Sequence, residues 1–308
     1  MSSVREDIYY NSNGAGQIHA CLWSGDFQPK SIVQIVHGIA EHVYRYDEFA
    51  NYLNEQGFVV VAEDHMGHGA STAADNVRGY FRGGWFVAIE DTMKLMDIAK
   101  ERFGDLPYIL FGHSMGSFMA RTILAKYPDT GLAGCVICGT GWQSEGLLSA
   151  GIPLCNTICR ISGEKKPSKF LKQMVFGGYN QRVEHKRTDC DWLSRDEKVV
   201  DAYIADPLCG FTASAGLMRD MMLGIRYVQQ KENLSRMNKK LPCLFVAGGD
   251  DPVGPYGNGV RKAAKAFEEA GMEQIKTKIY PLCRHEILNE INRAEVYEDI
   301  ASWMASLL

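Results

Sequence analysis

The residues Gly112-His113-Ser114-Met115-Gly116 could carry out covalent chemistry, because a serine in the pattern G-x-S-x-G is typical of a nucleophile elbow. The apolar run 108–111 before them predicts a buried strand, and helical spacing follows. In so tight a strand-to-helix turn, a Cβ atom at Gly112 or Gly116 would collide with its neighbours. This setting predicts Ser114 as a nucleophile, although an ordinary glycine-rich turn is the alternative.

A serine hydroxyl is a weak nucleophile at neutral pH, so it requires a base, and that base requires an orienting carboxylate. In folds with this elbow, the carboxylate and the histidine follow the serine along the chain. Asp250 and Asp251 come directly after one predicted strand, and His285 comes after the next. We prefer Asp251 because it precedes Pro252, which imposes an extended or turn conformation, whereas Asp250 would be solvated or capping. The expected reaction forms an acyl-enzyme: His285 takes the Ser114 proton, and Ser114 attacks an acyl carbonyl.

The tetrahedral intermediate of acyl transfer carries negative charge and requires two hydrogen-bond donors. One is the backbone amide of the residue after the nucleophile, Met115, and the other comes from the loop after the third strand. That loop is His37-Gly38-Ile39-Ala40, and the Ile39 amide is the predicted second donor. Because both donors are backbone groups, their side chains are free to vary.

Two other patterns permit metal or redox chemistry. His65-x-x-His68 beside Glu63 and Asp64 has the residue types of metal ligands, but it lies in a glycine-rich loop where no helix fixes the ligand spacing. We expect these histidines to organise the loop through hydrogen bonds. Cys135-x-x-Cys138 lies inside an apolar strand-like run, which favours buried thiols over a redox or zinc site. The sequence therefore predicts no metal site.

The elements that position these residues alternate between apolar strand-like runs and amphipathic helical patterns. This alternation is typical of an α/β fold with a mostly parallel, doubly wound sheet, in which ligands bind beyond the carboxyl ends of the strands. His37, Asp64, Ser114 and Gly139 all follow predicted strand ends. The predicted strands are 6–11, 17–23, 31–36, 58–62, 108–111, 132–138, 241–247 and 274–280, and the helices of this alternation are 44–56, 85–103, 115–127, 258–270 and 291–306.

Residues 140–235 interrupt the alternation with helical fragments and no strand run. We interpret them as an inserted helical cap, or lid, on a core formed by residues 1–139 and 236–308. Between residues 160 and 190, eight Lys and Arg residues stand against three acidic residues. This basic stretch is either a solvated face or a surface that attracts anionic head groups and transiently contacts lipid. The helical fragments are 147–160, 168–175, 194–204 and 213–229.

The composition argues against several classes of protein. The chain of 308 residues has a net charge of −4, which argues against a nucleic-acid-binding protein, and no run approaches the roughly 20 apolar residues of a membrane span. The first ten residues carry no apolar core of a signal peptide. Nine cysteines, an odd number, indicate free thiols in a reducing compartment. We therefore expect a cytoplasmic protein that does not bind nucleic acid.

Several motifs closely resemble those of monoglyceride lipases and bacterial lysophospholipases, which belong to the α/β-hydrolase superfamily and are also labelled serine aminopeptidases. The resemblance implies a catalytic triad of Ser114, Asp251 and His285, with the Ile39 and Met115 amides as the oxyanion hole. It implies no metal and no organic cofactor. The motifs are His37-Gly38-x-x-Glu41-His42 with Arg45-Tyr46 and Ala50-x-x-Leu53, Asp64-His65-x-Gly67-His68-Gly69-x-Ser71, Gly112-His113-Ser114-Met115-Gly116, Asp206-Pro207-Leu208 and Arg284-His285-Glu286.

The predicted triad and the resemblance together indicate a serine hydrolase of carboxylic esters, with a monoacylglycerol, a lysophospholipid or a similar acyl ester as substrate. Two alternatives stay open: an amide or thioester hydrolase with the same triad, and a binding protein on a hydrolase scaffold. The resemblance to lipases also implies that apolar residues of the cap line the acyl pocket. The candidates are Leu147, Leu148, Ile152, Phe170 and Met174.

Overall fold

Eight strands of the computed structural model form one sheet, in the order β1-β2-β4-β3-β5-β6-β7-β8. The structure describes residues 3–73 and 75–308. β1 is antiparallel to β2 and β2 to β4, whereas every neighbouring pair from β4 to β8 is parallel. The strands of this sheet are β1 (Ser3–Asn11), β2 (Gln17–Gly25), β3 (Ser31–Val36), β4 (Phe58–Glu63), β5 (Tyr108–His113), β6 (Leu132–Cys138), β7 (Cys243–Gly248) and β8 (Ile275–Tyr280).

Helices follow most of the parallel strands, and five of them lie together between β6 and β7. Short 3-10 segments occur at Val43–Tyr46 and Ile287–Asn289. None of the described helices combines the length and the apolarity that crossing a bilayer requires. The helices are α1 (Asp47–Glu55), α2 (Trp85–Phe103), α3 (Met115–Lys126), α4 (Glu145–Ser162), α5 (Lys169–Phe176), α6 (Glu197–Ala205), α7 (Ala215–Gln229), α8 (Lys231–Arg236), α9 (Asn258–Glu269) and α10 (Arg293–Ala305).

Strand residues alternate between two cores, one on each face of the sheet, because successive side chains of a strand point to opposite faces. In β5, Ile109 and Phe111 belong to the core that contains α1 and α10, and the Phe111 ring lies 5.6 Å from that of Phe49 in α1. Leu110 belongs to the opposite core, with α2, α3 and α9. Helices therefore cover both faces, and the predicted α/β class with a mostly parallel, doubly wound sheet is confirmed.

The segment between β6 and β7 contains α4 to α8 and none of the eight strands. α4 packs against α7, and α7 in turn packs against α2 and α3. Contact between α7 and α2 is close, because a Cβ atom at Gly224 would overlap the Trp85 ring. The helical cap therefore rests directly on helices of the core, and the division at residues 140 and 235 stays a prediction.

Candidate active site

Ser114 lies at the turn from β5 into α3 with φ 54° and ψ −119°, in the region of positive φ that L-residues rarely adopt. A Cβ atom at Gly116 would overlap the Val36 carbonyl oxygen, and one at Gly112 would overlap the Gly116 carbonyl. The steric requirement for both glycines is therefore confirmed. The Ser114 amide donates to the Cys138 carbonyl at 3.0 Å, which fixes the turn against the end of β6.

His285 follows β8 and is paired with Asp251, which follows β7. Its Nδ1 lies 3.0 Å from both carboxylate oxygens, and both side chains are almost fully buried, at 2% and 0% exposure. The Val253 amide also donates to the Asp251 carboxylate at 2.8 Å. Asp250 is exposed, and its backbone amide donates to the Cys283 carbonyl. The geometry therefore distinguishes the two adjacent aspartates and pairs His285 with the one that the sequence favours.

The His285 ring is held in one orientation by its neighbours. It lies between the rings of His113 and Trp192, at centroid distances of 4.9 and 5.2 Å. A Cβ atom at Gly139 would lie 3.1 Å from its Cε1, so the end of β6 also limits its movement. Since Nδ1 faces Asp251, Nε2 is the ring nitrogen left for a substrate or nucleophile, and His285 lines the same cavity as Ser114.

The loop after β3 is shaped by the buried carboxylate of Glu41. This carboxylate accepts hydrogen bonds from the Gly38 amide at 2.5 Å and from the Tyr46 hydroxyl at 3.1 Å. Ala40 has a positive φ of 57°, and Ile39 lines the cavity. The loop is therefore turned so that its backbone lies beside the serine.

A buried ion pair connects this loop to the loop after β8 that contains His285, which we call the histidine loop. The Arg45 guanidinium donates two hydrogen bonds of 2.6 Å to Glu286, the residue after His285, and one of 3.0 Å to Glu41. Asn289 donates to Glu286 at 3.0 Å. Because a planar guanidinium binds carboxylates in a fixed geometry, Arg45 holds two loops of the site at one separation.

His113 and Glu41 form a second buried pair next to the serine, with Nδ1 3.2 Å from the carboxylate. Burial is the largest single influence and favours the neutral form of each group, but the interaction between the two, together with the charges of Arg45 near Glu41 and Glu286 near His113, outweighs it. The pKa of Glu41 is therefore held well below its usual range, and that of His113 is raised. A negative charge on Glu41 stabilises the loop through the Gly38 amide.

The other histidines near the strand ends bind backbone groups. His37 Nε2 accepts from the His65 amide at 3.0 Å, and the His37 Nδ1 lies 2.7 Å from the Gly38 carbonyl. His65 Nε2 lies 3.2 Å from the His37 carbonyl. Burial lowers the pKa of His37, and it lowers that of His68 to about 3, so both rings are neutral. These contacts agree with the expectation that the histidines organise the loops.

The Met115 amide is the first of α3, a position whose amide has no acceptor within a helix. Ile39 and Ser114 line the same cavity. The loop that carries Ile39 approaches the serine closely, because a Cβ atom at Gly38 would lie 3.0 Å from the Ser114 Cβ. The role of the Met115 and Ile39 amides as donors stays a prediction.

The cavity beside Ser114 has a volume of about 500 Å³ and lies between the core and the cap. α5 contributes one helical face, with Lys169, Lys172, Gln173 and Phe176 at positions i, i+3, i+4 and i+7. The lining combines apolar side chains with charged and polar ones. The apolar lining residues are Ile39, Ala40, Phe176, Trp192, Leu193, Phe211, Ala213 and Met218, and the charged ones are Glu41, Lys169, Lys172, Lys186, Asp189 and Glu286.

None of the five cap residues expected to line the acyl pocket contacts this cavity, so this expectation requires correction. Leu148 and Ile152 are buried in the core formed with α3 and α7. Leu147, Phe170 and Met174 point outward and are 47%, 58% and 58% exposed. The physical reason is helix rotation, since α5 turns Phe176 toward the cavity and places Phe170 and Met174 on its outer face.

Sequence reasoning gave no role to Glu41, Arg45 and Glu286. Their presence in motifs was the available signal, but Arg45 and Glu286 are 241 residues apart, and nothing in either motif shows that they pair. The aromatic residue against His285, Trp192, was missed for the same reason, because it comes from the cap.

Comparison with known proteins agrees with this architecture. The sequence profile described as "Serine aminopeptidase, S33" matches residues 27–292. The chain is 29% identical over 310 residues to the monoacylglycerol lipase of Mycolicibacterium smegmatis, covering 100% of both chains, and 28% identical to the monoglyceride lipase of Mus musculus, covering 97% of this chain and 91% of that one. A thermostable carboxyl esterase from Bacillus coagulans, solved with glycerol, superimposes with a TM-score of 0.90 at 32% identity, covering 99% of both chains.

Proposed function

We propose that this chain, which belongs to the serine aminopeptidase S33 family of α/β-hydrolases, hydrolyses monoacylglycerols or lysophospholipids with Ser114, His285 and Asp251 as its catalytic triad. The chain is a carboxylic ester hydrolase, as its lipase and esterase relatives are. The observation that carries the triad is the buried Asp251–His285 pair at 3.0 Å, in one cavity with a serine at positive φ.

In the proposed mechanism, His285 takes the Ser114 proton through Nε2 while Ser114 Oγ attacks the ester carbonyl. Asp251 holds Nδ1–H and stabilises the imidazolium that forms. The Ile39 and Met115 amides bind the oxyanion of the tetrahedral intermediate. His285 then protonates the departing alcohol, and a water that it deprotonates hydrolyses the acyl-enzyme.

The cavity supports an amphipathic ester as substrate. Phe176, Trp192 and Met218 offer an apolar surface to an acyl chain, whereas Gln173 and Lys172 offer polar contacts to an alcohol such as glycerol or its phosphate. The names of the relatives, monoacylglycerol lipase and monoglyceride lipase, support the same class. All nine cysteines are free thiols, which supports a reducing compartment, the cytoplasm.

The outer face of α5 supports transient docking on a lipid surface. Phe170 and Met174, four residues apart, are both 58% exposed, and they lie in the stretch 160–190 with its excess of Lys and Arg residues. Exposed apolar side chains beside lysines favour the interface of an anionic bilayer. Sedimentation with phosphatidylglycerol vesicles tests this contact. We expect replacement of Phe170 and Met174 by serine to reduce the bound fraction several-fold.

The matched control for that experiment is Tyr9→Ser in β1, because Tyr9 is 55% exposed but lies at the far edge of the sheet from β6 and β7. Equal binding of wild type and the Phe170/Met174 variant would exclude the α5 face as the docking surface.

Reaction with a fluorophosphonate, followed by peptide mass spectrometry, tests the nucleophile. We expect one adduct, at Ser114. The Ser114→Ala variant should lose both this adduct and the ability to hydrolyse monoacylglycerol. Ser149→Ala, a change of an exposed cap serine, should keep both the adduct and the activity. If the protein is labelled at Ser114 but cleaves a thioester or an amide much faster than the matching ester, the triad is supported and the proposed ester substrate class is wrong. Full activity of Ser114→Ala would reject the triad.

A further inference from the structure

A cluster of three metal-ligating residue types lies on the β1–β2 hairpin, outside the cavity that contains Ser114. Asp7 in β1 is directly opposite Cys21 in β2, and His19 precedes Cys21 by two residues. Since residues two apart in a strand share a face, and paired residues do too, the three side chains meet on one side of the hairpin. We propose that Asp7, His19 and Cys21 bind a zinc ion.

The separations of the donor atoms fit a tetrahedral centre. Cys21 Sγ lies 3.1 Å from Asp7 Oδ1, His19 Nε2 lies 3.2 Å from the same oxygen, and Sγ lies 3.8 Å from Nε2. Zinc bonds of about 2.3 Å to sulfur and about 2.0–2.2 Å to nitrogen and oxygen place tetrahedral ligands roughly 3.3–3.6 Å apart. The three atoms already lie at nearly these distances, so little movement is needed to bind the ion.

A second carboxylate orients the histidine. His19 Nδ1 lies 2.7 Å from Asp64 Oδ2, and both side chains are buried, at 0% and 1% exposure. A ligating histidine typically donates its other ring N–H to a carboxylate, which fixes the ring and raises its basicity. When Nδ1–H donates to Asp64 and Nε2 carries no proton, the Nε2 lone pair is directed at Cys21 and Asp7, which is the tautomer that a metal requires.

The cluster also has access to solvent and a fourth donor. Asp7 is exposed, so an ion can enter. The Tyr44 hydroxyl lies 3.2 Å from Asp7 Oδ1 and 3.3 Å from His19 Nε2, where it or a water that replaces it completes the coordination. Binding releases the Cys21 thiol proton and any proton that His19 carries at Nε2, so a thiolate, a carboxylate and a neutral imidazole balance the two positive charges of zinc. Imidazole, thiolate and carboxylate together suit zinc among common divalent ions.

A second cluster, His42, Asp206 and Cys209, has the same residue types but weaker support. His42 Nε2 lies 2.8 Å from Asp206, and its buried Nδ1 has no hydrogen-bond partner among the described residues. No carboxylate therefore orients this ring for a metal. This cluster provides the matched control.

Zinc at the hairpin would stabilise the fold rather than take part in ester cleavage. Asp64 also accepts from the Val43 and Ala70 amides, each at 2.9 Å. The metal would thus connect β1 and β2 to the segments that follow β3 and β4. This inference is independent of the proposed function, and neither outcome of its test alters the case for the triad.

Cobalt(II) provides the optical test, because a cysteine thiolate bound to cobalt gives a charge-transfer band in the near ultraviolet. The full-length protein is stripped with a chelator and titrated with cobalt chloride, and the band is then displaced with zinc chloride. We expect a band in wild type and in Cys209→Ser, and no band in Cys21→Ser. Asp7→Asn changes an exposed ligand, and we expect it to weaken cobalt binding at least ~10-fold while the thiolate band survives at saturation.

Zinc should also raise the thermal midpoint of wild type and of Cys209→Ser, but not that of Cys21→Ser. Loss of the band in Cys209→Ser instead of Cys21→Ser would assign the metal to the other cluster and overturn the proposal. A wild type without any band would leave the three residues as a hydrogen-bond network only. Unchanged affinity in Asp7→Asn, whose exposed position should not disturb folding, would equally contradict the site.

Discussion

Adjacent aspartates at the end of β7 have contrasting environments. The Asp251 carboxylate is fully buried and lies 3.0 Å from His285 Nδ1, whereas Asp250 is exposed to solvent. The proline after Asp251 indicated this difference from sequence, because it restricts the backbone at one of the two positions. What the sequence could not give was the direction of either carboxylate, which depends on contacts with a loop 34 residues away.

Replacement of Asp251 by asparagine should reduce kcat by about 10³–10⁴-fold, because an amide does not stabilise the imidazolium and favours the wrong histidine tautomer. Asp250→Asn is the matched control, one residue away with the same chemical change, and should stay within about twofold of wild type. Steady-state kinetics on a p-nitrophenyl ester measure both. A larger loss in Asp250→Asn would exchange the two roles.

Asp64 should give the folded state a dependence on pH. Burial alone would raise its pKa, but hydrogen bonds from His19 and from the Val43 and Ala70 amides lower it to about 2, from 3.8. A depressed carboxyl pKa stabilises the fold above the unfolded value and loses that effect as pH falls through the folded value. The stabilisation is therefore complete above pH 3.8 and disappears toward pH 2.

Asp64→Asn tests this dependence. Relative to wild type, its free energy of unfolding should be lower by roughly 2–3 kcal/mol at pH 7, and the deficit should shrink as the pH falls below 3.8. Urea denaturation at a series of pH values measures the difference. A deficit of constant size down to pH 2.5 would mean that packing, not charge, accounts for the contribution of Asp64.

Among the elements, strands were predicted better than the helices of the cap. β3, for example, matches the expected run 31–36. A short apolar, β-branched stretch bounded by turn residues is typical of a buried strand of a parallel sheet. The positions of the cap helices along the chain were predicted approximately: α5 spans Lys169–Phe176, and the predicted range was 168–175. Their rotation was not predicted, because it depends on which neighbours they meet in the fold.

The Arg45–Glu286 ion pair, which joins the loops after β3 and β8, is the tertiary contact that the sequence predicted least. Arg45 and Glu286 are 11% and 4% exposed, and breaking a buried ion pair leaves an uncompensated charge. Arg45→Met should therefore lower the free energy of unfolding by about 3–5 kcal/mol. It should also reduce kcat more than it raises KM, because the Glu41 contact that shapes the loop is lost with it.

Arg293→Met is the matched control for Arg45→Met. Its ion pair with Glu48 also joins α10 to α1, but the partners are 31% and 62% exposed, and solvent screens such pairs. We expect a cost below about 1 kcal/mol and unchanged kinetics. Denaturation and kinetic measurements on both variants decide the matter, since equal effects in the two would show that burial of Arg45 contributes nothing.

The whole molecule creates a cavity that no single element contains, since β5, the loop after β3, the histidine loop and the cap each provide part of its wall. This is why the serine and histidine were predictable from the sequence and the cap residues that line the cavity were not. The former are motifs at strand ends, whose common edge follows from the parallel sheet. The latter depend on which face of α5 the rest of the molecule turns inward.

Two residues of α5 therefore provide the sharpest test of the cavity. Phe176 lines it and lies 6.2 Å from the Trp192 ring, whereas Met174, two residues earlier, is 58% exposed on the outer face. Phe176→Ala should enlarge the cavity at its apolar wall and shift the optimum of a p-nitrophenyl ester series toward longer acyl chains. Met174→Ala should leave the profile unchanged when the esters are kept below their micellar concentration. A shift in Met174→Ala without one in Phe176→Ala would mean that acyl chains bind the outer face of the cap, and that the cavity beside Ser114 accommodates only the alcohol.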